Sequence, residues 1–135
     1  MCLFKKKKKL KLTIRDRKIK VKKPNYFEEF QEVQGSLLVV LGYVLMFCEE
    51  SKLPCLITNI HQNFSVSTSK THPQGRAFDL SIRDWAIDDI QNCMSYVELF
   101  ANDLGAISYS DLKQRVVVHH DVGLGDHLHF QVKPL

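Results

Sequence analysis

No two cysteines in this chain are spaced C-x-x-C. The four that are present, Cys2, Cys48, Cys55 and Cys93, follow no framework pattern. That excludes a closed cysteine zinc site and a disulfide scaffold, and it leaves Cys48, Cys55 and Cys93 as reduced core residues. No secretory leader is legible either: the basic start is not followed by an apolar stretch. The longest apolar run, 37–48, is interrupted by Gly42. It falls short of the roughly 17–25 residues that span a bilayer, so it reads as a core helix. There is no internal repeat. At 135 residues, with 44% hydrophobic and 25% charged residues, the chain has the length and balance of one globular domain with one core.

The net charge of +4 hides an uneven distribution. Residues 1–23 carry twelve Lys or Arg against Asp16 alone, while the remainder holds seven basic and fourteen acidic residues. A basic arm is thus attached to an acidic body, which divides the chain into 1–23 and 24–135. Such an arm suits an anionic partner: teichoic acid, phospholipid head groups, nucleic acid, or the body itself. Leu10, Leu12 and Ile14, then Ile19 and Val21, alternate with polar residues around Arg15-Asp16-Arg17, the pattern of a β-hairpin. Interleaved aromatics, which a single-stranded nucleic-acid surface would need, are missing beyond Phe4.

Periodicity in the body predicts two helices and several strands. Phe27, Phe30, Val33, Leu37, Leu41, Val44, Leu45 and Cys48 recur at helical spacing, predicting a helix over 26–51. A second helix is expected from after Asp84 to about Leu104, with Ile87, Ile90, Met94, Val97 and Phe100 or Ala101 inward and Gly105 as its cap. Strands are expected at 55–60, 106–109, 114–119 and 127–133, the last two forming a hairpin over Gly-Leu-Gly. The architecture is α+β: two main helices packed on a mostly antiparallel sheet, with a metal site on its open face.

Two segments carry the chemistry: His72-Pro-Gln-Gly-Arg-Ala-Phe-Asp79 and Asp126-His127-Leu128-His129. Gly75 stands where a tight turn needs a flexible residue. From Ala77 onward the residues alternate as in a strand. Phe78, Leu80 and Ile82 therefore fall on one face, and Ala77, Asp79 and Ser81 on the other. In the second segment Leu128, Phe130 and Val132 share one face, and His127, His129 and Gln131 share the opposite one. Two His and one Asp, with a candidate base beside them, compose a catalytic zinc site that keeps one position open for water.

The pattern H-x-x-G-R-A-x-D, followed near the C-terminus by H-x-H, resembles the zinc peptidases that cleave bacterial cell-wall peptides. These are the D-Ala-D-Ala carboxypeptidases, phage L-alanyl-D-glutamate endolysins and murein endopeptidases, whose fold the hedgehog signalling domain shares. The resemblance covers residues 55–132. It implies one zinc held by His72, Asp79 and His129, and a substrate drawn from the stem peptides of peptidoglycan. Many members place Ser two residues before the first His, where this chain has Lys70. Some place an acid three residues before the last His, which maps to Asp126; others place a His two residues before it, which maps to His127. The general base is therefore Asp126 or, failing it, His127, which otherwise stabilises the tetrahedral oxyanion. Strand parity favours His127 facing the metal, and Asp126 faces it only if the strand begins after it, which Gly123 and Gly125 make plausible. The stretch Val116-Val117-Val118-His119-His120-Asp121 resembles the terminal motif of another branch, which makes His119 or His120 an alternative source of the third ligand.

The resemblance implies a phage-encoded lysis or entry enzyme acting at the wall after release from the cytoplasm. Two other classes stay open: a zinc-binding module without turnover, and a nucleic-acid or anionic-surface binder working through 1–23.

Overall fold

The computed structural model describes residues 19–22, 33–60, 75–107, 111–121 and 126–134. Within them lie β1 (Ile19–Val21), α1 (Gly35–Ser51), β2 (Cys55–Asn59), β3 (Ala77–Ser81) and α2 (Ile87–Ala101). There follow a short 3-10 turn (Asn102–Leu104), β4 (Ala106–Ile107), β5 (Gln114–Arg115), β6 (Val117–Asp121) and β7 (Asp126–Gln131). Five strands form one sheet in the order β1-β2-β3-β7-β6, and β4 pairs with β5 in a second, two-stranded sheet. Among the described residues only β1 and β2 run parallel, with α1 lying between them in the chain as the crossover such a pair requires. Every other pairing is antiparallel. The described residues thus form the expected α+β architecture.

Alternation along β3 and β7 sorts the two faces of the sheet. Phe78 and Phe130 lie directly opposite each other, as do Leu80 and Leu128, and all four are fully buried. The two Phe rings stack with centroids 5.0 Å apart. Both helices cover this face, α1 packing against β2 and α2 against β6. α1 contributes Leu37, Val40, Leu41, Val44, Phe47 and Cys48 to the core, and α2 contributes Ile90, Cys93, Val97 and Ala101. A side-chain hydrogen bond with Cys48, and then burial, push the Cys55 thiol up, and burial does the same to Cys93, so both stay neutral thiols within the core. No helix of the described residues is long and apolar enough to cross a membrane.

Several boundaries differ from those that periodicity predicts. The first helix does not run unbroken from 26: Gln34 is extended (φ −63°, ψ 139°) and the described helix begins at Gly35. Long-range bonds hold that break. The Gln34 backbone N–H donates to the Gly75 carbonyl at 2.9 Å, and its side-chain amide donates to the Lys133 carbonyl at 2.8 Å. In α2, Ile87 turns outward, 59% exposed, and Cys93 turns in; of Phe100 and Ala101 it is Ala101 that is buried, with Phe100 53% exposed. Phe100 instead stacks on Tyr43 of α1, with centroids 5.3 Å apart.

Gly105 caps the 3-10 turn that continues α2 to Leu104, its N–H donating to the Asn102 carbonyl at 3.0 Å, but it does so in extended rather than left-handed conformation (φ −68°). The glycine is needed because a Cβ there would lie 2.5 Å from the carbonyl carbon of Arg115. The strand expected over 114–119 is divided. Gln114–Arg115 pairs with β4, Val116 sits at the break, and Val117 starts β6 in the main sheet. The Glu98 carboxylate accepts the backbone N–H groups of Val116 and Val117 there, both at 3.3 Å. Of the hairpin expected in the arm, Ile19–Val21 is the edge strand of the body's own sheet, and residues 10–18 lie outside the described residues.

Candidate metal centre

The face of the sheet opposite the helices carries the polar residues. In the β3–β7 register Ala77 lies opposite Gln131, Asp79 opposite His129 and Ser81 opposite His127. In the β6–β7 register His120 lies opposite His127 and Val118 opposite His129. Directly opposed residues share a face, so one carboxylate and three imidazoles converge at the centre of the sheet.

The start of β3 is set by Gly75, whose φ of 67° is the left-handed conformation a tight turn requires. Arg76 then donates from Nη1 to the Val132 carbonyl at 2.7 Å, and the Val132 N–H returns a bond to the Arg76 carbonyl at 2.9 Å. Those bonds tie the beginning of β3 to the end of β7, which sets Asp79 level with His129.

Asp79 Oδ1 lies 2.8 Å from His129 Nδ1 and 3.8 Å from His127 Nε2. The Asn59 amide donates to Asp79 Oδ2 at 3.5 Å. His129 Nε2 lies 3.2 Å from Gln131 Oε1. The His120 ring stands 4.5 Å from that of His127 and 5.3 Å from that of His129, centroid to centroid. Asp79 and His129 are buried. Asp79, His120 and His129 each offer one ligand atom, and these atoms lie within 4.8 Å of one another.

The donor set fits a divalent metal. Zinc binds imidazole nitrogen and carboxylate oxygen at about 2.0–2.2 Å, which sets two donors of a tetrahedral ion roughly 3.3 Å apart. The 2.8 Å between Asp79 Oδ1 and His129 Nδ1 reaches that separation with a shift of a few tenths of an ångström. Nδ1, the nearer ring nitrogen to the carboxylate, would be the ligand atom of His129.

Asp79, His127 and His129 are thus brought together. Asp126 is not. It shares the opposite side of β7 with Leu128 and Phe130, is exposed, and its Oδ1 lies 2.8 Å from His119 Nε2. His119 accordingly leaves the face of Asp79 and His129 as well, and of the two neighbouring histidines His120 is the one that joins it. His72 lies outside the described residues. The apolar run Val116-Val117-Val118 conceals the parity of β6, because three consecutive valines do not say which faces the core. Only pairing with β7 fixes it. Comparison with family models, curated proteins and solved structures gave no match for this chain.

Proposed function

We propose that this α+β domain is a zinc-dependent peptidase that hydrolyses amide bonds in peptidoglycan stem peptides. The observation that carries the reading is the convergence of Asp79, His129, His127 and His120 on the face of the sheet opposite the helices. The motif H-x-x-G-R-A-x-D supports it by supplying His72 as the partner of Asp79 and His129 in the ligand set. The chemistry a bound zinc supplies is polarisation of the scissile carbonyl and a water pKa lowered toward about 7. Asp79 and His129 hold the ion. His127, level with Ser81 and beside Asp79, takes the proton of the attacking water at Nε2 and returns it to the leaving amine. Asp126 lies on the other face of β7, so the role of base passes to His127.

One observation favours a second reading. His120 stands close enough to Asp79 and His129 to be a ligand itself. Four protein ligands, His72, Asp79, His120 and His129, would close the coordination sphere, and closed sites are structural rather than catalytic. The domain would then be a zinc-binding module without turnover.

The test is to incubate the purified protein with muropeptides, with and without a chelator, and to identify products by mass. Zinc content is measured in parallel for His72→Ala and His120→Ala. Chelator-sensitive cleavage, with zinc lost on His72→Ala and kept on His120→Ala, is expected for the peptidase. Stoichiometric zinc without any product, and loss of the metal in both variants, would establish the closed module.

A further inference from the structure

We infer that Gln131 is the residue that orients His129 for the metal, by holding a proton on its Nε2 and leaving Nδ1 to face Asp79. The consequence for the metal rests on the metal-site reading above, but the proton's position follows from the hydrogen bonds themselves. A glutamine amide has one donating end and one accepting end. The Gln131 Nε2 lies 3.2 Å from the Arg115 backbone carbonyl, which can only accept. That contact decides which way the amide points, and it turns Oε1 toward His129 Nε2 at 3.2 Å. A carbonyl oxygen cannot donate, so the bond requires the hydrogen to sit on His129 Nε2. The lone pair available for an ion is then the one on Nδ1, 2.8 Å from Asp79 Oδ1. Two electron-rich atoms at that distance need a cation between them, a proton or a metal.

The chain of contacts is well anchored. Gln131 is itself buried, and its backbone N–H donates to the Val116 carbonyl at 2.9 Å. The Arg115–Val116 segment that receives both Gln131 bonds is the point where β5 gives way to β6. A break in an edge region of the fold thereby supplies the carbonyl that sets the tautomer of a central ligand. Metal-binding histidines commonly give their second ring N–H to an oxygen in this way, and loss of that partner costs roughly 10- to 100-fold in metal affinity.

Three variants separate orientation of His129 from simple satisfaction of the Arg115 carbonyl. Gln131→Glu keeps an acceptor for His129 and gives up the donor to Arg115. Gln131→Lys keeps a donor and gives up the acceptor. Gln131→Leu gives up both. Thermal melts of the metal-free proteins show which variants fold. Zinc affinity is measured by competition with a chelator, and the His129 ring protons are located by nitrogen-15 NMR of the metal-free protein.

The expected result is a protected Nε2–H on His129 in the wild type and Gln131→Glu, absent in the Lys and Leu variants. Zinc affinity should fall roughly 10- to 100-fold in those last two and stay near the wild-type value in Gln131→Glu. Affinity that follows the donor, kept by Lys and lost by Glu, would overturn the proposal. So would a wild-type spectrum with Nδ1 protonated and Nε2 bare, whether or not zinc binds. A wild type that shows the Nε2–H but takes up no zinc would overturn the peptidase reading while leaving the orienting role of Gln131 standing.

Discussion

Asp126 and His127 are adjacent in sequence and point to opposite sides of β7. The strand begins at Asp126, so the period of two applies to both residues, and only one of them can share a face with His129. Asp126 pairs with His119 in an exposed position, and exposed pairs of this kind contribute little. On the proposed peptidase reading, Asp126→Asn is therefore expected to leave zinc content and turnover of soluble muropeptides near the wild-type level. His127→Ala should keep the zinc and lose about 10²-fold or more in rate, the scale of a lost general base. Zinc content by metal analysis and turnover by product mass check both. A large loss in the Asp126 variant would mean that its carboxylate reaches the water despite its place on the strand.

Gly105 shows an element boundary set by close approach rather than by backbone conformation. It sits between the 3-10 turn and β4, paired by a single bridge to Val132, with a φ any residue can adopt. What forbids a side chain is the Arg115–Val116 backbone, which an added Cβ would meet at 2.5–2.7 Å. Backbone on that side cannot move aside as a flexible side chain could. Gly105→Ala is expected to lower stability by about 1–3 kcal/mol, the usual cost of overpacking. Urea unfolding followed by circular dichroism measures it. Because the segment that would be displaced also carries the Arg115 carbonyl bonded by Gln131, the same variant should weaken zinc binding. An unchanged urea midpoint would show that β4 and β5 separate at little cost.

At the scale of the whole molecule, the basic arm and the acidic body meet in one sheet. Ile19–Val21 hydrogen-bonds along β2, and the Lys22 N–H donates to the Ile57 carbonyl at 2.8 Å. Lys20 and Lys22, both exposed, thus stand on the edge of the sheet. Deleting 1–9 removes five lysines and leaves β1 untouched. On the proposed peptidase reading, if those lysines concentrate the protein on an anionic wall, the shortened protein should cut small soluble muropeptides normally and intact sacculi more slowly. Added salt should slow the full-length protein toward the shortened one, since screening limits exposed charges to a reach of about 8 Å at physiological ionic strength. Equal rates on sacculi at low salt would remove the run from the mechanism.

Much of this arrangement follows from short-range pattern. Alternation in 77–82 and 127–132 placed Phe78, Leu80, Leu128 and Phe130 in the core and Asp79, His127 and His129 together on the other face, because a strand's period depends on nothing outside it. The apolar spacing of α1, the turn at Gly75 and the burial of the cysteines were legible for the same reason. Other features depend on partners far away in the chain. The break before Gly35 is held by carbonyls of Gly75 and Lys133, and the division of β5 from β6 by the carboxylate of Glu98. His120 enters the site, and His119 leaves it, through the register of β6 on β7. Gln131 acquires its role only because the Arg115 carbonyl lies 3.2 Å away. The sequence alone determines which way each strand's side chains alternate. Which strands lie side by side, and in what register, is decided by the packed sheet, and a candidate metal site assembled across three strands depends on that decision.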